Sequence, residues 1–172
     1  MKDFLIPKDI PKHEALKAMA ARYPDLDPSA VEACITMFRV SGDLFGCMNG
    51  HFARYGLSQG RFIIMVLLNK SPDLSLSPSE LADMSCVSRA TVTGLLDGLE
   101  RDGLVKRVFT PDDRRSYSVC LTHKGKKVID KVLPDHFRRL AGVMANLSET
   151  ERNMFVRLLF KVRDGLTALK TP

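Results

Sequence analysis

The sequence predicts a mainly α-helical fold with one small β-hairpin, and three observations carry that prediction. Apolar residues recur at helical spacing over most of the chain; Val92, Leu95, Leu96 and Leu99, for example, fall at i, i+3, i+4 and i+7. Capping-box spacings open several of these runs, at Ser29–Glu32, Ser77–Glu80 and Ser148–Glu151. A strand–turn–strand pattern occurs around residues 110–116, with Leu104, Val105 and Val108 before the turn and Val119 and Leu121 after it.

Taken in order, residues 1–28 read as an N-terminal extension. It carries Pro7, Pro11 and Pro24 and a short helix with Leu16, Met19 and Tyr23 on one side. Asp27 or Ser29 then opens a long helix. Val31, Ile35, Phe38, Phe45, Met48, Phe52 and Tyr55 form one apolar face, and Cys34, Met37, Val40, Leu44 and Cys47 an adjoining one. An arc this wide exceeds a single contact, so the helix is expected to be buried on two sides, one of them against another chain. Gly56 ends it and Ser58 caps an almost wholly apolar helix containing Phe62 to Leu68. Leu74 to Leu76 can add a short strand beside the hairpin.

Residues 76–122 organise the rest. Ser77, Pro78 and Glu80 start a short helix, residues 85–88 interrupt it, and Ser88 caps a second amphipathic helix that ends at Asp102–Gly103. Two short helices around a tight turn make a helix-turn-helix, and the following hairpin, with Arg114 and Arg115 expected at its tip, is a wing. After it, Thr122 caps a long helix in which Pro134 predicts a bend or a break in the hydrogen-bond ladder. Ser148 opens a last helix with Met154, Phe155, Leu158, Leu159, Val162, Leu166 and Leu169 at helical spacing.

The segment SRATVTGLLDGLERDGLVKR followed by DDRRSYSVCLTHKG resembles the winged helix-turn-helix of the MarR family of transcriptional regulators. The resemblance implies residues 29–172 as one domain, with dimerisation helices at 29–56 and 123–172 and a DNA-binding lobe at 57–122. It also implies a homodimer that reads double-stranded DNA at a pseudo-palindromic operator, two recognition helices sitting about one helical turn, roughly 34–36 Å, apart. Ser88, Arg89, Ala90, Thr91 and Thr93, at the start of the second helix, are the expected base-reading residues, with Arg89 suited to guanine. By the same resemblance Asp113 shapes the wing and Arg115 enters the minor groove, while Arg114 suits a phosphate. Gly94 and Gly98 depart from the family pattern, which has long side chains there. Close approach to the DNA backbone and tolerated variation are both open readings, and the wing is expected to carry more of the affinity.

The family resemblance further implies a repressor released by a small aromatic or phenolic effector, with Met48, His51, Arg54, Tyr55, Arg61 and Phe62 as expected lining residues. Alternatives are a thiol-based redox regulator using Cys34 or Cys47 and a winged-helix protein-interaction module without DNA. The composition agrees with the main reading. The 172 residues are 45% hydrophobic, enough for a core, and carry a net charge of +6, which suits a polyanionic partner. No apolar run reaches the roughly 20 residues a membrane span needs, and the first residues lack a signal-peptide pattern, so a cytoplasmic protein is expected. Cys34, Cys47, Cys86 and Cys120 have no CxxC spacing, and His13, His51, His123 and His136 no paired ligand spacing. No cofactor, no metal and no enzymatic activity are expected, for there is neither a nucleophile–base set nor a Gly-rich phosphate loop.

Overall fold

The computed structural model describes residues 13–71, 75–110 and 113–169. Seven α-helices and three strands follow one another in these residues: α1 (His13–Ala20), α2 (Pro28–Ala53), α3 (Gln59–Lys70), β1 (Ser75–Leu76), α4 (Pro78–Ser85), α5 (Arg89–Arg101), β2 (Val105–Thr110), β3 (Asp113–Leu121), α6 (His123–Val143) and α7 (Glu149–Gly165). A 3-10 turn, Leu166–Leu169, ends the described chain. The mainly helical fold with a small β-wing is therefore present. The sheet is antiparallel in the order β1-β3-β2, with Leu76 opposite Val119 and Arg107 opposite Val119 on the other side.

Local chemistry sets the helix starts. Ser77 and Ser148 each accept from a backbone N–H three residues on, and Glu80 and Glu151 return the bond, so both capping boxes form. Ser58, Ser88 and Thr122 cap α3, α5 and α6. The Ser29–Glu32 box does not cap α2. Asp27 caps it instead, its Oδ1 accepting from Ser29 N at 2.8 Å and Ala30 N at 3.2 Å, because Pro28 fits the first helical position. α6 continues through Pro134 without interruption. The last helix stops at Gly165, before Leu166 and Leu169.

The core lies around α3. Phe62, Ile64, Met65 and Leu68 meet Leu81 and Ala82 of α4, Val92, Leu96 and Leu99 of α5, Val105 and Val119 of the sheet, and Ile129 and Val132 of α6. Each such large side chain contributes about 1.5–3 kcal/mol on leaving water. The junction of sheet and α6 is held by Thr122, whose Oγ1 donates to the Gly103 carbonyl at 2.7 Å and accepts from Gly125 N at 3.0 Å. Gly125 is buried there with its Cα against the Leu104 carbonyl, leaving no room for a Cβ. Lys124 Nζ adds a bond to the Asp102 carbonyl at 2.8 Å.

The long helices contrast with this lobe. α7 buries none of its residues, and α2, 26 residues long, buries His51 and Phe52. Phe38, Val40, Leu44 and Phe45 of α2, Phe137, Leu140 and Val143 of α6, and most apolar residues of α7 stay exposed in the single chain. In α1, Leu16 is buried, while Met19 and Tyr23 are exposed and Tyr23 lies beyond the helix end.

Candidate nucleic-acid interface

The turn between α4 and α5 is made at Cys86, whose φ of 54° and ψ of 36° are left-handed. A non-glycine residue there is uncommon, and the conformation is what redirects the chain within three residues. The N–H groups of Cys86 and Val87 bond back to Asp83 and Ala82 carbonyls, closing the end of α4. α5 then buries Val92, Leu96 and Leu99 and turns Arg89, Ala90, Thr91, Thr93, Gly94, Asp97 and Arg101 outward.

The expected base-reading residues share this exposed N-terminal end. Ser88 Oγ accepts from Thr91 N at 3.1 Å and lies 2.9 Å from Thr91 Oγ1. Thr93 Oγ1 donates to the Arg89 carbonyl at 3.0 Å. These hydroxyls are occupied locally, each with acceptor capacity left. Arg89 is exposed and has no ion-pair partner among the described residues. The free N–H groups of the first turn add a positive end to the same surface.

The C-terminal half of α5 is electrostatically closed. Arg107 of β2 bonds Asp97, pairs with Glu100 at 2.9 Å and stacks over the Tyr117 ring at 5.3 Å. The hydrogen bond to Asp97 raises its already high pKa. Arg61 pairs with Asp102 at 2.8 Å. Lys126 is likewise used internally, by Asn69 at 2.9 Å and Asp130 at 2.7 Å. Of the described basic residues near the wing, Lys106, Lys124 and Lys127 are exposed.

The wing differs from its expected outline. β2 reaches Thr110 and β3 starts at Asp113, so Arg114 and Arg115 lie within the span of β3, in its irregular stretch between the Thr110–Asp113 and Phe109–Tyr117 pairs. Ladder pairing extends the hairpin to Thr110 opposite Asp113, with a register shift after Phe109. The side chains of Asp113, Arg114 and Arg115 lie outside the described residues. Gly98 has a neighbour within the lobe. A Cβ on it would lie 2.5 Å from Arg61 Nη2, so the guanidinium would have to move to admit one. Gly94 has open space around it.

Between α2 and α6 lies an open groove of about 470 Å³. Met48, His51 and Arg54, expected as effector residues, line it together with Leu44, Cys47, Arg139, Leu140, Gly142 and Val143. Tyr55 sits beside it and donates to Asp135 Oδ2 at 2.9 Å. That same oxygen accepts from Arg139 Nε at 3.0 Å. The two hydrogen bonds, Arg139 first, hold the Asp135 carboxyl below its ordinary pKa, and the bond to Asp135 raises that of Tyr55. Phe62 stands behind the groove, stacked on Phe52 at 4.3 Å, and Arg61 turns away towards α5.

His136 is the residue that sequence reasoning missed as a partner. Its ring stacks on His51 at 5.6 Å and lies 4.9 Å from Phe62, a set of contacts with no local signature. Both histidines are buried and burial lowers both pKa values, opposed at His51 by the Asp135 charge. Arg54 Nη2 lies 2.8 Å from His51 Nδ1, while His51 Nε2 and His136 Nδ1 have no hydrogen-bond partner among the described residues. All four cysteines are free, and no cluster that could hold a metal occurs among the described residues.

Comparison with known proteins agrees with this geometry. The profile of the MarR family matches residues 57–117, from the start of α3 into the wing. The chain is 40% identical over 163 residues to the HTH-type transcriptional repressor YetL of Bacillus subtilis (strain 168), covering 95% of this chain and 98% of that one. It is 30% identical over 144 residues to the HTH-type transcriptional regulator PecS of Dickeya dadantii (strain 3937), covering 83% and 87%. Among solved structures it is similar to AbsC, a MarR family transcriptional regulator from Streptomyces coelicolor, with a TM-score of 0.70 and 23% identity over 79% of this chain and 93% of that one. Sco3205 from the same organism, solved in complex with DNA, also has a TM-score of 0.70 at 23% identity, covering 80% and 88%. No helix among the described residues is long and apolar enough to cross a membrane. With a helix-turn-helix, a paired wing and relatives of this identity over nearly its whole length, the chain belongs to the MarR family and is a winged helix-turn-helix, DNA-binding transcriptional regulator, not an enzyme.

Proposed function

We propose that the protein is a homodimeric repressor of the cytoplasm that reads a pseudo-palindromic operator and leaves it when a small aromatic or phenolic anion fills the groove between α2 and α6. The observation that carries this reading is α7. It buries nothing, yet Met154, Phe155, Leu158, Leu159 and Val162 are exposed along it. Contiguous apolar surface of that kind marks an interface. A second copy offers the same faces of α2, α6 and α7, as a two-fold interface requires. Residues 29–56 and 123–172 then hold two copies of the 57–122 lobe at a fixed separation.

In that arrangement Ser88, Arg89, Ala90, Thr91 and Thr93 face the major groove, with Arg89 as the main base contact. Arg115 enters the minor groove, Arg114 meets a phosphate, and Asp113 holds the wing's shape. The DNA complex of Sco3205 and the repressor description of YetL support the reading. For the effector, Arg54 and Arg139 supply positive charge, with Leu44, Met48, Leu140 and Val143 as apolar walls. A ligand changes DNA affinity only as far as it prefers one of the two lobe spacings.

Two measurements test the proposal. Sedimentation equilibrium is expected to return the dimer mass, and selection from a random duplex pool to enrich an inverted repeat. Benzoic and hydroxybenzoic acids are then titrated against the selected duplex. A monomer, or a pool without an enriched repeat, rejects the central reading; no response to any acid rejects the effector class.

A further inference from the structure

Two glycines bring α3 and α5 together at one end of the lobe. A Cβ on Gly60 would lie 3.1 Å from Leu95 Cδ2, and one on Gly98 2.5 Å from Arg61 Nη2. The Arg61 guanidinium therefore rests against the α5 backbone in the space a side chain at position 98 would take. From that seat Nη2 pairs with Asp102 Oδ2 at 2.8 Å, and Nη1 donates to the Gly56 carbonyl at 3.4 Å. Gly56, with a φ of 68°, belongs to the turn that leaves α2. The Arg61 side chain is 16% exposed. One planar group thus ties the corner after α2 to the last turn of α5, while the base-reading end of α5 is the opposite end.

That placement has leverage. α5 has 13 residues. At 1.5 Å rise per residue it is roughly 19 Å long, so a tilt of about 5° at the anchored end moves the other end by about 1.7 Å. Productive base contacts tolerate only about 0.5 Å. A rigid guanidinium fork holds such an angle in a way a flexible ammonium cannot.

We propose that Arg61, seated on Gly98 and paired with Asp102, is a positioning residue for DNA recognition that sets the angle of α5 against the α2–α3 corner. The inference rests on α5 being the helix that meets DNA. It assigns Arg61 a role in specificity without contact to DNA.

The test uses the duplex selected by the full-length wild-type protein and a scrambled duplex of equal length, titrated over a series of salt concentrations. The variants are Arg61→Ala, Gly98→Ala and the double variant. Gly98→Ala retains Arg61 but pushes its guanidinium out, and alanine is a better helix former, so this variant is informative even if Arg61→Ala folds poorly. Each single variant is expected to lower the selected-to-scrambled affinity ratio at least fivefold. The slope of log K against log salt stays unchanged, since no phosphate contact is lost. The double variant is expected to be no worse than Arg61→Ala alone, because both changes remove the same contact. An unchanged ratio in both single variants overturns the proposal. So does an equal loss on both duplexes with the slope reduced by about one, which makes Arg61 a phosphate contact. Failure of the wild type to select any duplex overturns the DNA-binding reading together with this inference, whereas selection with unaffected variants overturns this inference alone.

Discussion

The rings of His51 and His136 lie 5.6 Å apart and 18° from parallel, packed between Phe52, Phe62 and Tyr55. Through them α6 is seated on the end of α2, and the seat is made of two imidazoles whose charged form burial disfavours. In the unfolded chain both take up a proton near pH 6.5, the ordinary histidine value. Burial lowers both values in the folded chain, more than the Asp135 charge restores at His51. Below about pH 6.5 the unfolded state therefore binds more protons, and acid favours unfolding. Stability is expected to be complete above that pH and to be lost as pH falls through the lowered folded values. Urea denaturation at pH 7.5, 6.5 and 5.5 checks this, and His136→Phe should flatten the dependence.

Gly125 tests the junction of sheet and α6. With its Cα against the Leu104 carbonyl, a methyl group must displace backbone rather than a flexible side chain. Gly125→Ala is expected to lower unfolding stability by about 3 kcal/mol, the upper end for overpacking, in spite of alanine's higher helix propensity. Thermal and urea denaturation of the variant measure the loss.

Gly94 should behave in the opposite way. It lies on the exposed face of α5, and a Cβ added to it would meet nothing within 4 Å. Gly94→Ala is expected to raise stability by about 0.5–1 kcal/mol through reduced backbone entropy of the unfolded chain. A lower denaturation midpoint would contradict the open environment.

The proposed DNA contacts separate by their salt and sequence dependence. Arg89→Ala is expected to weaken binding to the selected duplex by about 1–3 kcal/mol and to relax discrimination at one position of each half-site. Arg115→Ala should cost at least about 1 kcal/mol, more on A·T-rich flanks than on G·C-rich ones. Gel-shift titrations on duplexes that differ only in half-site or flank decide between them, and equal affinity after Arg115→Ala removes the wing assignment.

For the interface, Leu159→Glu places a charge on the exposed apolar face of α7. Buried against a second copy, an unpaired carboxylate is strongly unfavourable. Sedimentation velocity is expected to show a monomer, with operator affinity falling because one half-site is read at a time. A dimer that survives this change would place the interface elsewhere.

What the sequence determined by itself is whatever depends on near neighbours along the chain. Ser77–Glu80 and Ser148–Glu151 cap their helices through bonds spanning three residues, and Val92, Leu96 and Leu99 share a face because of the helical period. Those local rules were enough to outline the helix-turn-helix and wing. Where two local rules competed, as at Asp27 and Ser29, proline at position 28 decided in favour of Asp27. The tertiary structure alone decided the pairings between distant segments: Arg61 on Gly98, Arg107 with Asp97 and Glu100, and His136 on His51. Nothing in residue spacing encodes them, because each requires two elements to be brought together by burial of a core to which both contribute. Gly98 shows the difference most directly: the sequence leaves close approach to DNA and tolerated variation open, and only the fold brings the Arg61 guanidinium to the place a Cβ there would take.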